Sequence, residues 1–166
     1  MNVTAIIIEM IVFAALFTVM AFAATKNKDD IGNIHNYPED IQQEYFKTHP
    51  RQDVSYRNKK VVLRKAFGII VFAMIFTLCA HYAGARTFRE GFLVGVGLMV
   101  WIGLYDTLFV DWVLFANLKC FRLEGTEHMD KAYHQKWFHL KGMLFPGSLF
   151  ALIVGVITGL GTMLFH

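Results

Sequence analysis

The stretch VTAIIIEMIVFAALFTVMAFAA, residues 3–24, carries one ionisable side chain, Glu9, and contains neither proline nor glycine. A bilayer's hydrocarbon core is about 30 Å thick and an α-helix rises about 1.5 Å per residue, so about 20 apolar residues suffice to cross it. Residues 3–24 meet that length and read as a transmembrane helix. Ala21-Phe22-Ala23 has the small-x-small pattern of a signal-peptide cleavage site. No basic residue precedes the run, however, its apolar length exceeds a signal core of about 7–15 residues, and Glu9 interrupts it, so a retained anchor is expected.

Three further apolar runs follow, at residues 61–83, 92–118 and 144–165, and the charged residues collect in the connections 25–60 and 119–143. Apolar residues make up 55% of the chain, above the roughly 45–50% of soluble domains, which fits bilayer rather than water as the main solvent. The pattern predicts an all-α integral membrane protein: a single membrane domain over 1–166, built as a four-transmembrane-helix bundle with two amphipathic cytoplasmic interfacial segments. The net charge of +3 suggests no nucleic-acid partner, because Lys and Arg alternate with Asp and Glu and form no aromatic-interleaved basic stripe.

Lys and Arg number nine between Thr25 and Lys65 and five between Asn117 and Met143, against two between Gly84 and Gly91. Basic residues are retained on the cytoplasmic side, so both long connections are expected there, with both termini outside, in a multi-pass cell (cytoplasmic) membrane protein. Cys79 and Cys120 fall near opposite membrane faces, which argues against a disulfide between them.

Within the first connection, Pro38 to Lys47 has helical character, with Ile41, Tyr45 and Phe46 on one side, as suits a helix along the membrane surface. In the second, Gly125-Thr126 is expected to cap a helix running from Glu127 through Trp137 and Phe138 toward Lys141, with a kink or restart at Pro146-Gly147. Gly155-x-x-x-Gly159 in the last run has the small-residue spacing of close helix contacts.

Ionisable side chains at membrane depth are costly, so Glu9, Asp106 and Asp111 are the first places to seek function. Asp106 shares a stripe with Gly95, Met99, Gly103, Val110, Val113 and Asn117, expected to face the bundle. Asp111, five residues on, is rotated by about 140° on a regular α-helix, so no joint carboxylate site is expected. Arg64, Lys65, His139 or Lys141 are its expected salt-bridge partners. Glu9 and His81 both fall near the outer end, as a helix-to-helix contact or a proton site, with Arg86 or Arg89 within possible reach.

No metal is expected: Asp130 and His134 share a face, but the histidines follow no zinc-site spacing. Ser55 and Ser148 lack a nucleophile-elbow context, and neither cysteine has a base nearby in sequence. Trp112 and Trp137, with the many phenylalanines, are read either as the wall of an apolar pocket or as interfacial anchors.

Asp106-x-x-x-x-Asp111-Trp112, Gly125-Thr126-Glu127-x-Met129 and Phe138-His139-Leu140-Lys141-Gly142 together resemble small four-span bacterial integral membrane proteins of unassigned function. That resemblance implies that residues 106–142 form one cytoplasmic-side unit, and it implies no catalytic residues. The functional expectation is a small or lipid-like ligand in a cytoplasm-facing cavity around Asp106, with His139 and Lys141 at an anionic head group. The alternatives are a proton-coupled transporter or channel subunit using Glu9, His81 and Asp106, a membrane-embedded enzyme, and a scaffold subunit. The bilayer, a lipid-like ligand and a homo-oligomer or larger membrane complex are the expected partners.

Overall fold

The computed structural model describes residues 1–28, 30–53 and 58–165. Among them four helical spans are long and apolar enough to cross a membrane. They are α1 (Val3–Ala24), α4 (Lys59–Tyr82), α5 (Phe88–Tyr105), which continues as a π-helix over Asp106–Phe115, and α8 (Ser148–Leu164). This architecture is compatible with a multi-pass membrane protein. Short helices α2 (Ile31–Ile34) and α3 (Glu39–Tyr45) occupy the first connection, with α6 (Asp130–Tyr133) and α7 (Lys136–Gly142) in the second.

The bundle is organised by small residues. In lipid the apolar effect gives helices little reason to associate, so close van der Waals packing must supply it. Helices α5 and α8 make the most extensive contact of the fold. There Gly95 faces Thr158, whose Cβ lies 2.9 Å from where a Gly95 Cβ would stand, and a Cβ on Gly159 would lie 2.8 Å from the Phe88 ring. The Gly155-x-x-x-Gly159 spacing is thus a packing seam against α5. Helix α1 lies on the other side, with Phe13 edge-on to Phe76 at 5.1 Å and Trp101 Nε1 donating to the Met10 carbonyl at 2.9 Å.

Helix α5 begins at Phe88, four residues earlier than the apolar run suggests. Thr87 accepts from the Glu90 amide, and the Glu90 carboxylate accepts from the Thr87 amide at 3.1 Å, a capping box that satisfies otherwise orphaned donors. Close by, the Asn2 amide donates to the Ala83 carbonyl at 2.7 Å, tying the N-terminus to the short turn between α4 and α5. Gly84 there has φ +80°, a left-handed conformation that glycine adopts without strain.

At the opposite end the two connections pack on each other. Ile34, Tyr37, Ile41 and Tyr45 from the first bury against Phe121, Leu123 and Tyr133 from the second. The apolar side of α3 therefore faces protein, where the sequence predicted a membrane surface. Removing such a large side chain from water contributes about 1.5–3 kcal/mol, and these side chains pack on one another to hold the two connections together.

The single helix expected from Glu127 to Lys141 is instead α6 and α7, separated at His134 and Gln135. Gly125 turns the chain at φ +80°, and Thr126 is fully buried, its hydroxyl 2.7 Å from the Tyr133 hydroxyl and donating to the Leu123 carbonyl at 2.8 Å. Thr126 thus stitches a turn where the sequence suggested a helix cap. The break expected at Pro146-Gly147 is present as a π-helical turn, Met143–Gly147, in which Phe145 leaves helical geometry at φ −152°, ψ 123°.

Candidate functional site

Between the α5–α8 seam and the packed connections the helices diverge around a cavity of about 900 Å³. Its walls come from the C-terminal half of α1, from the first connection, from α4, from the α5–π-helix junction, from α7, and from the irregular turn leading into α8. Phe17, Met20, Phe72, Met99 and Phe150 give it an apolar surface, while Lys65, Asp106, Asp111, His139 and Lys141 converge on it from three elements.

The π-helix explains how both aspartates reach one cavity. In an α-helix, residues five apart diverge, but in a π-helix the carbonyl of residue i meets the amide of residue i+5, so such residues stack. The Ala116 amide bonds the Asp111 carbonyl in this register. Asp106 and Asp111 therefore both line the cavity, in place of the divergence read from a regular helix. The same change of register turns Val113 and Asn117 outward, although they were expected to continue the bundle-facing stripe.

Asp111 is paired with His139: Nδ1 lies 2.9 Å from Oδ2, with the side chains 7% and 18% exposed for histidine and aspartate. Of the four expected partners, His139 is the one that reaches it. The Phe115 ring meets the imidazole edge-on at 5.1 Å. The far nitrogen, Nε2, is enclosed without a hydrogen-bond partner. His139 thus walls the cavity through a ring whose remaining nitrogen is shut away from it.

Asp106 differs. It makes no hydrogen bond or ion pair among the described residues, although Asp111 and Lys65 line the same cavity. Lys65 projects from α4 into the same space, again without a bonded partner. Its neighbour Arg64 is engaged elsewhere, 2.6 Å from Asp30.

Other predicted positions lie apart from the cavity. Trp112 donates to the Lys136 carbonyl at 3.3 Å and lies under the Lys136 ammonium, 5.1 Å from its ring centre. Trp137 is 72% exposed, as suits an interfacial anchor rather than a pocket wall. Glu9 is buried on α1 with both carboxyl oxygens enclosed and partnerless, so neither His81 nor Arg86 nor Arg89 pairs with it. The His81 ring packs instead on Phe165 at 5.2 Å. Ser148, by contrast, borders the cavity, its hydroxyl donating to the Leu144 carbonyl, and Ser55 lies outside the described residues.

Sequence reading missed Arg122. Its guanidinium, almost wholly buried, pairs with Asp130, donates to the Glu127 carbonyl at 2.9 Å and lies 4.7 Å from the centre of the Tyr133 ring. Lys28, at the mouth of the cavity, donates to the Arg122 carbonyl, and Tyr37 donates to the Phe121 carbonyl at 2.7 Å. Burial, then the neighbouring Tyr133, holds the Tyr37 hydroxyl well above the ordinary tyrosine range, so it remains a donor. These contacts span long sequence distances, and no local periodicity marks them. Among the described residues no cluster of three or more His, Cys, Asp or Glu is arranged to hold a metal, and both cysteines are free thiols. Compared with known proteins, the chain matches no family model, no curated protein and no solved structure.

Proposed function

We propose that this protein binds an amphipathic molecule in the cavity, its apolar part against Phe17, Met99 and Phe150 and its head among Lys65, Asp106 and Lys141. The carrying observation is the cavity itself: about 900 Å³, apolar in its walls, with a few convergent charged groups. Ligand pockets typically measure about 300–1,000 Å³ and combine these two features. The excess of Lys and Arg in the adjoining connections supports a cytoplasmic mouth. The break at Phe145, whose exposed ring borders the cavity, offers a lateral entry from the bilayer.

The Asp111–His139 pair fits a binding role better than acid–base chemistry, because a general base must bring its free nitrogen within reach of the ligand. Here Nε2 is enclosed. Native mass spectrometry of the purified protein tests the reading. An amphipathic molecule is expected to co-purify with the natural chain. Gly103→Leu, which fills the cavity from α5, is expected to reduce that occupancy by roughly tenfold, the equivalent of about 1.4 kcal/mol. Equal occupancy in both chains, or none in the natural one, would refute it.

A further inference from the structure

We infer that the head of the bound molecule is zwitterionic, with its ammonium group set against Asp106 and its anionic group against Lys65. The inference rests on the cavity reading above and gives its ligand a chemistry.

The charges around the cavity sort by whether the protein already satisfies them. Asp111 is held by His139, Arg64 by Asp30, Lys136 lies over Trp112, and Lys28 donates to the Arg122 carbonyl. Lys141 is exposed, where water solvates it. Asp106 and Lys65 remain. Both are at least partly buried, both line the cavity, and neither makes a hydrogen bond or ion pair among the described residues. They lie on different helices, face the same cavity and do not close into a salt bridge with each other.

A charge removed from water must be paired and hydrogen-bonded to be tolerated. A purely anionic head would pair Lys65 and leave Asp106 without a cation. A purely cationic head would do the reverse. A head carrying both signs completes both groups at once and screens Asp106 from Asp111. The π-helix is what makes this arrangement available, since it turns Asp106 and Asp111 to one cavity while the His139 imidazole, 2.9 Å away, already partners the second.

The test compares binding by the full-length protein in detergent of four probes: lysophosphatidylethanolamine, lysophosphatidic acid and an alkylamine of the same chain length, and free phosphoethanolamine. Lysophosphatidylethanolamine is expected to bind at least about tenfold more tightly than the anion-only and cation-only chains. Asp106→Asn and Lys65→Met should each remove that preference. Retained binding of the alkylamine by Lys65→Met, and of lysophosphatidic acid by Asp106→Asn, shows that the variants are folded.

Equal binding of all three chain-bearing probes by the natural protein overturns the zwitterion inference and leaves the cavity reading standing. No binding of any chain-bearing probe overturns both. Phosphoethanolamine binding as tightly as its lipid form upholds the zwitterion but assigns it to a water-soluble molecule, against an amphipathic ligand.

Discussion

At the scale of single residues, the buried carboxyls behave in two ways. Glu9 is enclosed with no partner for either oxygen, and such a group costs stability without returning any. Replacing it with an apolar side chain of similar size removes that cost. Glu9→Leu is expected to stabilise the protein by about 1–3 kcal/mol, seen as a higher midpoint of thermal unfolding in detergent. A lowered midpoint would mean that Glu9 has a bonded role in the fold. Asp111 is the contrary case, because its carboxylate has the His139 imidazole at 2.9 Å. Removing one member strands the other, so Asp111→Leu and His139→Leu should each destabilise, while the double variant should lose less than the two summed. A double-mutant cycle is expected to give a coupling of roughly 0.5–3 kcal/mol, and additive losses would show that the pair carries no energy.

At the scale of elements, the decisive feature is the π-helix Asp106–Phe115, one of whose turns stacks Asp111 near Asp106. Deleting Leu108, an exposed position within it, should return the segment to α-helical register and swing Asp111 away from His139. Cysteines placed at 111 and 139 are expected to cross-link under oxidation in the full-length chain and to fail after the deletion; persistent cross-linking would contradict the register argument. This element also marks the limit of what sequence alone reveals. The four spans were legible because uninterrupted apolar length is a local property of Val3–Ala24 and its counterparts. Asp106 and Asp111 were legible as costly charges, yet their shared direction was not, since DTLFVDWVLF contains no proline or glycine to announce a change of register. Thr87-x-x-Glu90 was different: its capping-box signature stood in the sequence and set the start of α5 earlier than apolar length alone. Arg122 and Tyr133 gave no signal at all, because their contacts depend on how the two connections meet.

At the scale of the whole molecule, two forms of cohesion meet at the cavity. Toward the α4–α5 turn, α5 and α8 close on glycine and threonine with almost no space between backbones. At the other end the connections form a core of tyrosine, phenylalanine and leucine. Between them the chain leaves helical geometry at Phe145, in the turn leading into α8, and the cavity occupies the gap. If that polar end lies in the cytoplasm, as its nine and five basic residues imply, each face should be chemically distinguishable in sealed membranes. Cys120 is exposed on the second connection, whereas Cys79 lies partly buried within α4. An impermeant maleimide is therefore expected to label Cys120 in inverted vesicles and not in intact cells. A cysteine introduced at Arg86, in the exposed turn tied to the N-terminus, should label in intact cells. Labelling of both from one side would require an even number of crossings between them and would remove the span over Phe88–Phe115. Exchange of the two patterns would keep the four spans, invert the molecule, and move the mouth of the cavity to the outer surface.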